Sequence, residues 1–163
     1  MPVAQAQALV PGLTVVPAQP EGDARALEEL AAWCLRYAPL TAPDRPDGVW
    51  IDATGCSHLF GGEASMLADL VERLGRGGVA SRAAIADTTG AAWATARYAK
   101  ATVAVVLAGE TSAALRPLPI AALRLSGETI AGLTRLGFDR ISPTFATRLR
   151  FREFCGSAVI ASA

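Results

Sequence analysis

Between Gly62 and Gly75 apolar residues recur at helical spacing: Met66, Leu67, Leu70, Val71 and Leu74 share a stripe, with Asp69, Glu72 and Arg73 between them. The spacing predicts an amphipathic helix starting near Glu63 and ended by the glycine-rich residues 75–78. Upstream the period changes from helical to two: Val49, Ile51 and Ala53 alternate with Trp50, Asp52 and Thr54, as in a half-buried strand. Asp23 reads as the N-cap of a helix to about Tyr37, with Leu27, Leu30, Ala31 and Cys34 facing a core. Val3 to Val10 reads as a short helix ended by Pro11-Gly12, Leu13 to Val16 as a short strand, and Pro39 to Pro46 as a proline-rich loop.

Residues 79–86 suggest a strand through Ala83 and Ile85, Thr88 or Thr89 can cap a helix to about Lys100, and Thr102 to Leu107 reads as a buried strand. Leu118 to Leu123 and Thr129 to Leu136 look like two short helices, with Gly137 closing the second. Strands alternating with amphipathic helices predict an α/β or α+β layer with helices on one sheet face.

The 163 residues, 52% of them hydrophobic, are enough for one domain with a real core, or one domain plus part of another. No window has the uninterrupted apolar length of a membrane span, so no membrane role and a cytoplasmic location are expected. Cys34, Cys56 and Cys155 are far apart and lack Cys-x-x-Cys spacing, which argues for free thiols rather than a disulfide framework or a zinc site. Net charge is zero and Lys100 is the only lysine, so there is no global electrostatic footprint for nucleic acid. Arg135, Arg140, Arg148, Arg150 and Arg152 cluster late in the chain against Asp139 and Glu153; a solvated segment explains this at least as well as a phosphate track.

Candidate chemistry centres on Asp47 and Asp52. Paired carboxylates hold divalent cations through hard oxygen ligands, and two such metals drive nucleotidyl transfer. The two aspartates are an odd number of positions apart, which sends their side chains to opposite faces if one strand runs through both. Asp52 then reads as structural and Asp47 as acting alone. His58 has no second ligand at metal spacing and reads as a loop or packing histidine. Trp33, Trp50 and Trp93 could stack on bases, but core aromatics are more frequent.

Residues 48–55, Gly-Val-Trp-Ile-Asp-Ala-Thr-Gly, resemble the palm strand of Y-family (lesion-bypass) DNA polymerases. The family motif there reads Ser-Ile-Asp-Glu-Ala-Tyr-Leu-Asp, and its Asp-Glu pair serves metal binding and catalysis. Laid without gaps from Tyr37 onward, Asp47 falls on the catalytic Asp and Gly48 on the catalytic Glu. The longer stretch from Trp50 to Gly62 is similar to the polymerase-like bacterial mutagenesis branch of the family that has lost its catalytic carboxylates. The similarity runs from about residue 1 to residue 141.

The resemblance implies a ferredoxin-like polymerase palm lacking its first strand, followed by a partial helical thumb. Residues 1–17 correspond to the end of the fingers returning to the palm, 18–109 to the palm, 110–141 to a helix-hairpin-helix-like part of the thumb, and 142–163 to a divergent tail. Ser142 onward carries little helical stripe, the pattern of a poorly ordered tail or of a shifted reading frame. A missing first strand would leave one strand with unpaired backbone groups, an edge expected to promote self-association or marginal stability.

Three departures from the active family pattern point to a protein that is not an enzyme. Gly48 replaces the Glu, leaving Asp47 as a vestigial position. Thr89 and Trp93 stand where the family places lysines, with Asp87 adding the opposite charge. The thumb hairpin's glycines, which let backbone N–H groups approach a phosphate, become Arg124 and Ser126; Arg124 could still reach a phosphate by its side chain. Thr88-Thr89-Gly90 could hold an anion at a helix start, though capping explains it better.

The expected function is a non-catalytic scaffold in damage-induced (SOS-type) mutagenesis and translesion synthesis, needing no cofactor. Its partners would be a separate DNA polymerase and the sliding clamp, engaged mostly through regions outside these residues, with weak or no DNA binding here. The alternatives are an active lesion-bypass polymerase, which would need Mg²⁺, and a stand-alone α/β binding domain unrelated to DNA.

Overall fold

Five strands, β1 (Thr41–Asp44), β2 (Gly48–Asp52), β3 (Ser81–Ala86), β4 (Val103–Val105) and β5 (Ser157–Ser162), lie in one sheet in the order β1-β2-β5-β3-β4. The structure is a computed structural model that describes residues 2–141 and, for the backbone alone, 157–162. Only β3 and β4 run parallel; β1–β2, β2–β5 and β5–β3 are antiparallel. The helices are α1 (Val3–Leu9), α2 (Pro20–Cys34), α3 (Glu63–Arg76), α4 (Thr89–Tyr98), α5 (Thr111–Leu115) and α6 (Gly127–Arg135), with 3-10 turns at Ser57–Phe60 and Ile120–Leu123.

Helices cover both faces of the sheet, not one as the alternation suggested. Val49, Ile51, Ala83 and Ile85 pack with Leu27, Ala31 and Cys34 of α2 and Met66, Leu67, Leu70 and Leu74 of α3. Ala84 and Ala86 form a second core with Ala91, Ala92, Ala94 and Ala96 of α4 and with Leu115, Leu118, Ile120, Leu123 and Ile141. Residues 83–86 are therefore buried on both sides, and small alanines there let α4 approach the sheet closely. The mixed α/β class is as read from the sequence.

The α3 stripe behaves as its spacing requires, and Thr88 caps α4 by accepting the Ala91 N–H at 3.3 Å. Four local readings change. Helix α2 begins at Pro20, not at an Asp23 cap, because proline suits the first helical position; Asp23 lies in the first turn, where a carboxylate favours the helix dipole. The proline-rich loop contains β1, with Pro43 opposite Val49; a proline is tolerated there because β1 is an edge strand. Leu13 to Val16 forms no strand, and Val15 and Val16 are exposed without a sheet partner. Leu118 to Leu123 tightens to a 3-10 turn at Ile120–Leu123.

The tail supplies the largest correction. Ser157–Ser162 pairs along the whole of β2 on one side and of β3 on the other, Asp52 and Ala86 both facing Ser157. The edge expected from a missing strand is therefore filled from within the chain, which removes the stated cause for self-association. The rest of the tail, residues 142–156, with Cys155, Arg148, Arg150, Arg152 and Glu153, lies outside the described residues.

Candidate functional site

Helix α4 fixes one wall of the site because both its ends are held. Thr88 caps the start, and at the far end Arg82 of β3 donates from Nε to the Ala96 carbonyl at 2.8 Å, and from Nη2 to the carbonyls of Ala101 at 3.0 Å and of Ala99. Ala96 lies in the last turn of α4 and Ala99 and Ala101 follow it, so one guanidinium ties the helix terminus to the segment beyond it. Arg97, in the last turn, is thereby aimed at the β1–β2 hairpin, whose turn carries a cis Arg45–Pro46 bond and Asp47.

Arg97 grips Asp47 with both arms, Nη1 to Oδ2 at 2.9 Å and Nη2 to Oδ1 at 2.5 Å. The Arg97 side chain is 17% exposed and that of Asp47 37%. Paired forks of this kind give strong, directional charge-assisted bonds. The Arg97 hydrogen bonds hold the Asp47 carboxyl below its usual range, and the Asp47 bonds hold Arg97 more firmly protonated. One turn back on α4, Trp93 presents its ring to the Arg97 guanidinium at 4.9 Å.

A second pair lies beside the first. Arg124 follows the Ile120–Leu123 turn with φ +55°, a left-handed conformation that few non-glycine residues adopt. Its guanidinium lies 4.9 Å from the Trp93 ring centroid and 6.0 Å from that of Trp50, and donates to Asp44 Oδ1 at 3.3 Å. Ser126 caps α6, accepting the Thr129 N–H at 3.2 Å. Arg124 thus reaches inward to the hairpin, and Ser126 is engaged in its own helix.

The other sequence candidates lie apart. Asp52 accepts the Thr54 N–H at 3.1 Å, an Asx-type turn, as its structural reading required. Thr89 borders a hollow of about 440 Å³ with Leu40, Thr41, Ala42, Trp50, Ile51 and Asp52, and no basic side chain is among these lining groups. Asp87 accepts the Gly109 N–H at 3.1 Å. His58 is exposed in the 3-10 turn, and Trp33 stacks near Tyr37 under the Arg36 guanidinium. Cys34 is a buried free thiol, its pKa pushed up to about 12 by burial, which makes it a poor nucleophile.

Sequence reasoning found Asp47 and missed Arg97 and Asp44. Arg97 lies far from Asp47 in sequence, and an arginine near the end of a helix reads as ordinary dipole complementation; only the fold pairs them. Only the alternative of an active polymerase would call for a magnesium ion at Asp47, and the residues present do not fit one. Both carboxylate oxygens are committed to a guanidinium, and the neighbouring Gly48 offers no side chain. Among the described residues no group of three or more His, Cys, Asp or Glu side chains converges to hold a metal.

A five-stranded mixed sheet covered by helices on both faces, with its hairpin carboxylate sealed by an arginine, is the class of domain these features define. The impB/mucB/samB family matches residues 1–97, more than half of the chain, and the chain belongs to that family. It is similar to Protein ImuB from two strains of Caulobacter vibrioides, each 51% identical over 143 residues, which is 88% of this chain. The chain spans 31% of the length of these curated relatives. No solved structure matches it significantly. No described helix is long and apolar enough to cross a membrane.

Proposed function

We propose that the chain is part of a non-catalytic, Y-family polymerase-like scaffold acting in damage-induced mutagenesis and translesion DNA synthesis. The observation that carries this reading is the bidentate Asp47–Arg97 pair beside Gly48. Nucleotidyl transfer needs cations placed on both sides of the reacting phosphorus, and losing one such contact commonly costs several kcal/mol in the barrier. Here the carboxylate faces a fixed guanidinium, the adjacent glycine has no ligand to offer, and Thr89 and Trp93 bring no charge. Family membership and the likeness to ImuB support the pathway. A separate polymerase and the sliding clamp are the partners proposed for the intact protein, with DNA contacted weakly or not at all by these residues.

Primer extension tests the reading. The purified chain should incorporate no nucleotide on undamaged or lesion-bearing templates with Mg²⁺ or Mn²⁺, and Gly48→Glu should not restore incorporation. Metal-dependent extension abolished by Asp47→Ala would instead establish an active lesion-bypass polymerase.

A further inference from the structure

Between α2 and the end of α3 lies a groove of about 580 Å³, bounded at the hairpin turn by Pro46 and Asp47. Leu27, Leu30 and Trp33 of α2 line it together with Leu74 and Val79. Leu27 and Leu74 are buried, but Leu30 and Trp33 are only half-buried and Val79 is exposed, so apolar surface stays open to solvent. Trp33 is also held in place, its ring centroid 5.9 Å from that of Tyr37 and 3.9 Å from the Arg36 guanidinium. A fixed tryptophan among apolar neighbours is the kind of side chain that carries much of the binding energy at protein–protein contacts.

The charges around the groove decide what it accepts. Asp47 is neutralised by Arg97, and Arg73 by Asp69 at 2.8 Å. Asp23 and Glu29, the remaining charged lining groups, make no ion pair among the described residues. Helix α2 as a whole carries Glu21, Asp23, Glu28 and Glu29 against Arg25. An apolar groove with this negative excess repels phosphates, whether of nucleic acid or of lipid, and complements an apolar segment bearing cations. The chain's described helices with free surfaces offer no such segment: α1 has no charged residue, and α6 balances Arg135 with Glu128. Arg148, Arg150 and Arg152 alternate with Leu149 and Phe151 at a period of two, which is not a helical stripe.

We propose that this groove is the docking site for a basic amphipathic helix of a partner protein. Apolar side chains at helical spacing seat against Leu30, Trp33 and Val79, and flanking lysines or arginines meet Asp23 and Glu29. The surface goes beyond the function proposed above and does not depend on it, because nothing in the groove requires the hairpin carboxylate to be catalytic or silent.

Fluorescence anisotropy of labelled synthetic peptides, titrated with the whole chain, tests this. The probe is a helical peptide of Leu and Lys with its Leu at i, i+3, i+4 and i+7. One control replaces every Lys by Glu, and another scatters the same Leu residues so that no stripe remains. The striped Lys peptide should bind saturably, and both controls about tenfold more weakly or worse. Asp23→Lys/Glu29→Lys and Trp33→Ala should each weaken the Lys peptide by about tenfold or more. Glu63→Lys/Glu128→Lys, the same charge change away from the groove, should leave its affinity within about twofold. If Trp33→Ala does not fold, Val79→Ser, at an exposed lining position, replaces it. Equal binding of the three peptides would overturn the inference, as would equal effects of the groove and control variants. Tighter peptide binding by Arg148→Ala/Arg150→Ala/Arg152→Ala would overturn it in favour of the chain's own segment. Self-association of the chain that the groove variants abolish would overturn it in favour of a second copy.

Discussion

Tyr37 donates its hydroxyl hydrogen bond to Asp69 Oδ2 at 2.7 Å, joining the segment after α2 to the outer flank of α3. The ring is buried between Trp33 and Phe60, with centroids 5.9 and 5.1 Å away, and Asp69 also receives Arg73 Nε at 2.8 Å. Burial first, then the Asp69 bond, push the phenol well above its usual pKa. Tyr37→Phe keeps the packing and removes one hydrogen bond to a charged acceptor. It should destabilise the fold by about 1–2 kcal/mol, seen in urea as a lower midpoint with an unchanged slope.

Acid should loosen the molecule through two carboxylates. Asp69 is held below its usual pKa by the Tyr37 bond and then by Arg73, and Asp47 by Arg97. A depressed folded-state pKa stabilises the fold above the unfolded carboxylate's pKa of about 4, and that contribution is lost as pH falls through the folded value. Unfolding midpoints should be flat near neutrality and decline below about pH 4, with a shallower decline in Tyr37→Phe. A midpoint that holds steady through that acid range would refute the assignment.

Breaking the Asp47–Arg97 fork should cost stability. Asp47→Ala leaves a largely buried guanidinium unpaired, and the loss should be about 2–3 kcal/mol. Adding Arg97→Ala should cost less than the sum of the two single changes, because the second removes a group already stranded. A double-mutant cycle by denaturant titration measures that coupling, and strict additivity would deny it.

Arg82 should matter more than a half-buried strand arginine usually does. It closes the end of α4 through the carbonyls of Ala96, Ala99 and Ala101. Arg82→Ala should cost about 2 kcal/mol, and amide exchange should quicken first in the last turn of α4, which carries Arg97.

Thr95 offers the opposite case. Its hydroxyl is buried with no hydrogen-bond partner among the described residues. Thr95→Val keeps the shape and removes the desolvated oxygen, so the midpoint should rise, by about 1 kcal/mol in stability.

What could be read from the chain divides by the range of the interactions involved. The α3 stripe, the alternation through Ile51 and the Thr88 cap are set by neighbours a few positions away, and each forms where its spacing placed it. Strand β1 was hidden because Pro43 and the prolines flanking the strand read as a loop until an edge position accommodates Pro43. The short, alanine-rich β5 has no pattern that distinguishes it from a tail, since its place is set by β2 and β3. At the candidate site the missing Glu was legible at Gly48, whereas the arginine facing Asp47 was not, because a pair so distant in sequence leaves no local periodicity.

The position of β5 also orders events during synthesis. Strands β2 and β3 touch only through a segment made long after both, so a ribosome-bound chain that has released α3 and α4 still holds two half-sheets. Each exposes a row of unsatisfied amides to whatever strand is nearest, and closure waits on a pairing of Asp52 with Ser157 across most of the molecule. Such long-range closure is slow, and the interval before it is when a nascent chain is most open to capture by a chaperone or by a neighbour's strand.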